Sequence, residues 1–337
     1  MQNRVLLVYN TCGIRRDNTE HYIKCIKTFL EQDFEGFRVV LSSCKNSPEC
    51  IRELYSTFGD KISYCLTPEL HTVNITFNKA CQESVKKFGE FESYMYVDSG
   101  CWFEDDDIIQ KSYERLKSGP VGIVAVQVDT DEALDILDTK FKHTTDKMQI
   151  TGEDYVIPIG KSINQHVHLF SKEIFRNCNK KIEPDVFAAH CSESVFNYIA
   201  AASSQRWIIM ADRQVRHLTS IDGASAGYSH SSPEHYNTWN NLLYNRDARN
   251  FINDSEALSA GVGYEECNNI MPHDPAAYDE DGFAKDPEAL LQKVNEYFLN
   301  SLVRFRKDET LFSAIFTMVL AVLPNSSKLF KTCSGDK

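Results

Sequence analysis

The chain has no concentrated positive charge. Its 48 acidic residues outnumber its 36 basic ones, giving a net charge of −12, and the densest basic run, Arg304-Phe305-Arg306-Lys307, is short. Proteins that hold nucleic acid neutralise phosphates with clustered Lys and Arg, so no nucleic-acid partner is expected. Nor is there a long hydrophobic run: the most apolar stretch, Leu311 to Leu323, falls short of the roughly 20 residues a spanning helix needs. The eleven cysteines form no pair at zinc-ligand spacing; Cys44 and Cys50, like Cys178 and Cys191, have no His or Cys partners at the required offsets. Met1 to Asn10 carries neither the apolar length nor the cleavage site of a secretory leader. Reduced thiols and a cytoplasmic location follow as expectations. No internal repeat or low-complexity tract is present.

An apolar fraction of 42% over 337 residues is enough for one large domain, or a domain with an appendage. The first half alternates short apolar runs with helical patterns. Strands are predicted at 4–9, 37–42, 61–65 and 94–98, and helices at 20–31, 48–58 and 74–87. This βαβαβαβ order predicts a mainly parallel sheet flanked by helices. A helix opened by Asp105-Asp106-Asp107 follows, then a strand at 122–128. The three carboxylates have the look of a metal cluster, but a solvated helix start favoured by the macrodipole is the preferred reading. Residues 129–155 are polar and ambiguous. Further strands are predicted at 167–171, 207–210 and 214–217, and a helix at 192–202. The chain is read as a domain over 1–225, with one half to about 128 and a second half beyond it. A loop-rich and helical appendage occupies 226–337.

Chemistry concentrates at Tyr96-Val97-Asp98-Ser99-Gly100. A buried strand that ends in Asp and then turns at Gly delivers one carboxylate to the C-terminal edge of the sheet, where open α/β sheets bind ligands. The alternative is a simple turn, for which Asp is also suited. In an acidic protein, an anionic substrate needs local help from a metal, a helix N-terminus or a few placed Arg or Lys. Arg15 and Arg16 are candidate phosphate contacts or exposed loop charges.

The order of these features resembles that of the GT-A glycosyltransferases, in the style of family 2. Tyr9-Asn10-Thr11-Cys12 is similar to the strand end that receives the nucleotide base. Asn74-Ile75-Thr76-Phe77-Asn78 resembles the helix start that carries an Asn facing the donor. Asp98 stands in the place of the metal-binding Asp-x-Asp motif, and Cys191-Ser192-Glu193-Ser194-Val195-Phe196, followed by 207–217, resembles the catalytic helix, strand and metal-side His. The resemblance implies a nucleotide-sugar donor, UDP- or GDP-linked, and a glycan, lipid-linked or protein-linked acceptor. It implies donor contacts from Tyr9, Asn10, Thr11, Ser42, Asn74, Asn78, Val97, Asp98 and Ser99. A divalent metal, Mn²⁺ or Mg²⁺, would be held by Asp98 and His217. Inversion would use Glu193 as general base, with Asp185 the runner-up. For His217 the alternative is a satisfied core histidine, and for Glu193 a residue that only favours its helix N-terminus.

Three departures stand out. No acidic residue follows the second strand, where Leu41-Ser42-Ser43-Cys44 stands; Gly100 replaces the second Asp of the motif; and the catalytic helix opens Ser192-Glu193 rather than with an acidic pair. The lost Asp keeps open a catalytically inactive glycan-binding or scaffold protein. A sugar nucleotidyltransferase is disfavoured, because no Gly-rich loop bearing Lys or Arg follows the first strand. Asp222 to Gly227 suits a closing loop or a surface turn. Tyr228, His230, Tyr236, Trp239 and Tyr244 suit an acceptor surface or packing of the appendage. The 311–323 helix, flanked by Arg304, Arg306, Lys307, Lys328 and Lys331, suits peripheral membrane contact, a buried helix or a homo-oligomer interface.

Overall fold

The computed structural model describes residues 3–12, 14, 18–44, 46–67, 73–130, 149–151, 154–157, 159, 166–181, 196–217 and 274–294. Glu193, Asp185, Arg15, Arg16, Asp222 to Gly227, the aromatic residues from Tyr228 to Tyr244 and the 311–323 segment lie outside them.

The chain begins with β1 (Val5–Cys12), α1 (Thr19–Leu30), β2 (Phe37–Cys44), α2 (Pro48–Phe58), β3 (Ser63–Thr67), α3 (Val73–Phe88) and β4 (Ser93–Asp98). Then come β5 (Cys101–Phe103), α4 (Ile108–Lys117), β6 (Val121–Thr130), β7 (Gln149–Thr151), β8 (Asp154–Val156) and β9 (Val167–Ser171). The last labelled elements are α5 (Lys172–Lys181), α6 (Phe196–Ala202) and β10 (Arg206–His217).

Among the described residues the strands form one ten-stranded sheet, ordered β3-β2-β1-β4-β9-β6-β10-β8-β7, with β5 joined to β10. The half built from β3, β2, β1 and β4 is parallel throughout, as the alternation of strand and helix predicts. β9 inserts antiparallel between β4 and β6, and β6 pairs parallel with β10. Strands buried on both faces need unbroken apolar runs. In β1, Val5, Leu7 and Tyr9 face α1, α2 and α4, while Leu6 and Val8 face α3, α5 and α6. The result is a three-layer α/β/α fold.

The sequence reading is corrected in several places. Residues 207–210 and 214–217 are one strand, not two. Its register on β6 jumps between Met210 and Gln214, so Ala211 to Arg213 form a bulge. The bulge is fixed from outside: Arg213 binds Asp107 through Nε and Nη2, and Asp212 receives Arg115 at 2.6 Å. Asp107 ends the run of three carboxylates that opens α4 and is ion-paired rather than solvated. Helix α5 and strand β5 were not predicted. Residues 274–294, assigned from sequence to an appendage, place Tyr278, Leu290, Leu291 and Val294 in the same apolar cluster as α3 and α6. Cys25, Cys50, Cys65, Cys81 and Cys101 are thiols not engaged in disulfides. Among the described residues no helix is long and apolar enough to cross a membrane.

Candidate functional site

The parallel half of the sheet ends in polar residues at the same level. Asn10 of β1 pairs in register with Ser42 of β2 and with Asp98 of β4. Side chains alternate along a strand, so Asn10, following Leu6 and Val8, falls on the α3 face. There the Thr76 hydroxyl of α3 donates to Asn10 Oδ1 at 2.7 Å, and Ser42 donates to the Thr76 carbonyl at 2.9 Å. One residue on, Thr11 donates to Ser43 Oγ at 2.7 Å, Ser43 donates to Asn46 Oδ1, and the Ile14 N–H reaches the same oxygen at 3.1 Å. All these side chains except that of Asn46 are nine-tenths buried or more. They make a neutral network whose members satisfy one another, as burial demands.

Asp98 ends β4 beside this network. The Ser99 N–H donates to its Oδ1 at 2.9 Å, and His166 Nδ1 lies 3.0 Å from its Oδ2. The Asp98 N–H donates to the His166 carbonyl at 2.8 Å. The His166 ring stacks on that of His217, with centroids 4.1 Å apart and planes 16° from parallel. Burial opposes ionisation of Asp98, but the His166 hydrogen bond, the nearby imidazoles and the Ser99 N–H outweigh it and hold the carboxyl below its ordinary value. Asp98 remains 24% exposed and His166 18%, so a ligand can reach both.

The backbone explains how Asp98 and His217, far apart in sequence, come together. Gly100 has φ +79°, a left-handed conformation in which a side chain is strained. This turn reverses the chain from β4 into β5, whose Cys101 pairs antiparallel with His217. The glycine that replaces the second Asp of the expected motif is thus the residue that makes the turn.

The other sequence-predicted residues divide clearly. Asn10, Thr11, Ser42, Asp98 and Ser99 meet at the strand ends, with Asn78 buried one turn along α3 from Asn74, which lies in its first turn. Tyr9 and Val97 do not join them through their side chains. Tyr9 packs edge-on against Tyr22 and Phe29 in the opposite core, and Val97 lies in that core too. Only their backbones border the site. Sequence reasoning named Ser43 with Ser42 as a base or ribose contact, but missed Thr76, Asn46 and His166. Thr76 lies inside the Asn74–Asn78 stretch but was given no role there, and Asn46 is an ordinary polar residue in no motif. His166 precedes a predicted strand, but only the antiparallel pairing of β9 with β4 brings it to Asp98. His168, two residues on, faces the aromatic core; burial pushes its imidazole down to about 3, so it is neutral.

Among the described residues no three His, Cys, Asp or Glu side chains are grouped to hold a metal ion. Asp98 meets the edge of the His166 ring through its hydrogen bond, and the buried His217 stacks on the face of that ring. This donor set fits a divalent cation that takes its other ligands from waters and phosphate oxygens.

No family model and no curated protein matches the sequence. The chain is similar to a solved mannosyltransferase, PcManGT from Pyrobaculum calidifontis, in complex with GDP-Man and Mn²⁺, at 14% identity over 99% of this chain and 80% of that one, TM-score 0.46. It is similar also to S. aureus TarS residues 1–349, at 12% identity over 93% and 89% of the two chains, TM-score 0.46. The same TarS fragment in complex with UDP-GlcNAc aligns at 11% identity over 93% and 90%, TM-score 0.41.

Proposed function

We propose that this chain is a glycosyltransferase that moves a sugar from a nucleoside diphosphate sugar to a hydroxyl of a glycan, lipid-linked or protein-linked acceptor, with inversion. The observation that carries the reading is Asp98: an ionised, reachable carboxylate at the C-terminal edge of β4, beside a buried neutral network contributed by β1, β2 and α3. Ligands of α/β sheets bind at this edge.

In this reading Thr11, Ser42 and Ser43, with the backbone of Tyr9 and Val97, receive the base and ribose. The diphosphate and sugar lie beside Asn10, Ser99 and the first turns of α3, which carry Asn74 and Asn78. Asp98 and His217 would hold a divalent metal, Mn²⁺ or Mg²⁺, which when bound neutralises charge on the departing diphosphate. Imidazole ligation favours Mn²⁺ of the two. Glu193 takes the proton of the acceptor hydroxyl as that oxygen attacks the anomeric carbon; the bond from that carbon to the diphosphate oxygen breaks on the opposite face. Both reacting groups must be held in line, which is the work of the rigid strand ends.

The test is to incubate the protein with UDP- and GDP-sugars and Mn²⁺ and to measure release of nucleoside diphosphate by chromatography. Slow metal-dependent release with one donor, lost in Glu193→Gln when an acceptor is supplied but with donor binding intact, is the expected result. Binding without any release or transfer would favour the inactive glycan-binding or scaffold alternative. Wild-type turnover in Glu193→Gln would remove that residue from the base role.

A further inference from the structure

We infer that His166 is the positioning residue of the cation site, doing through a hydrogen bond what a second acidic ligand would otherwise do through coordination. The inference rests on the transferase reading above and names a residue that reading does not use.

Three contacts carry it. His166 Nδ1 meets Asp98 Oδ2 at 3.0 Å, its carbonyl receives the Asp98 N–H at 2.8 Å, and its ring stacks on His217 at 4.1 Å. A carboxylate only accepts hydrogen bonds, so Nδ1 carries the hydrogen. With Oδ2 engaged by His166 and Oδ1 steadied by the Ser99 N–H at 2.9 Å, the carboxylate plane is fixed from both sides. One residue therefore touches both groups assigned to the metal. Partners of this kind orient ligands and are needed for affinity even though they do not bind the ion. A motif with a single Asp needs such support, since one carboxylate on a freely rotating bond offers the cation no defined geometry.

Two substitutions separate the hydrogen bond from the ring. In His166→Asn the amide NH₂ occupies the place of Nδ1 and keeps the donor while losing the stack. His166→Phe keeps the stack on His217 and loses the donor. The readout is free Mn²⁺ measured by electron paramagnetic resonance as protein is titrated into Mn²⁺ with UDP or GDP, with melting temperatures recorded for each variant. We expect His166→Asn to hold Mn²⁺ within about threefold of wild type, and His166→Phe to hold it about tenfold more weakly or worse at an unchanged melting temperature. Should His166→Phe unfold, His166→Leu carries the same expectation. Equal loss in the Asn and Phe variants, or full retention in Phe, would overturn the assignment while leaving the transferase reading standing. Failure of the wild type to retain Mn²⁺ with either nucleotide would overturn the reading on which it rests.

Discussion

Asp98 and Asp107 are two carboxylates of the same sheet-and-helix body, both held below their ordinary pKa, and they differ in what holds them. Asp107 is lowered first by its hydrogen bonds from Arg213, with burial opposing, and it receives both Nε and Nη2 of that guanidinium, at 2.7 and 2.6 Å. Its neighbour Arg115 binds Asp154 at 2.9 and 3.1 Å and Asp212 at 2.6 Å. The two arginines at this place, Arg115 and Arg213, are thus committed to carboxylates of the protein. Asp98 is surrounded by imidazoles and by neutral donors, so its negative charge is stabilised without being cancelled by a fixed cation. The first arrangement fixes a bulge; the second leaves a charge available to a ligand.

The comparison can be broken at either side. Arg115→Met should have the largest effect on folding, because it strands two partly buried carboxylates. We expect a loss of about 2 kcal/mol in urea unfolding, below the roughly 3–5 kcal/mol of a fully buried pair. Thr76→Val removes the hydrogen bond donated to the buried Asn10 oxygen at the site, a loss of about 1–1.5 kcal/mol. If the site side is the functional one, this variant should also weaken nucleotide binding, whereas Arg115→Met should leave it unchanged in protein that remains folded. Arg213→Met is the mildest, about 1 kcal/mol for a partly buried bidentate pair at the protein surface. Its sign with pH follows from Asp107: a carboxyl lowered in the native state stabilises above its ordinary value of 3.8 and loses that contribution as pH falls through the depressed native value. The difference between wild type and Arg213→Met, measured by thermal melting, should hold from about pH 7 to pH 5 and shrink as pH falls below the ordinary value of 3.8.

Much of the fold was legible because it is local. The apolar runs of β1, β2 and β4 and the helical spacing of Tyr22, Ile26 and Phe29 declare their elements, and the alternation of types declares the parallel half. Asp98 was legible because a strand-ending Asp before Gly is a chemical signal in one place. His166 and Thr76 were not, because their roles depend on pairings across 68 and 66 residues, which no local pattern encodes. Strand β10 was split because its bulge inserts Ala211-Asp212-Arg213, whose polar character reads as a turn until Arg115 and Asp107 are seen to bind it. Tyr9 was misjudged in a different way: the strand end was right, but alternation turns its ring into the opposite core.

The most direct test of the account is calorimetric binding of UDP- and GDP-sugars, each with and without Mn²⁺, to the wild type, Asp98→Asn and Asp107→Asn. One donor should bind in a Mn²⁺-dependent manner to the wild type and to Asp107→Asn and show no measurable heat with Asp98→Asn. Equal binding to all three proteins, or none to the wild type, would contradict the claim that Asp98 is the centre of a nucleotide-sugar site.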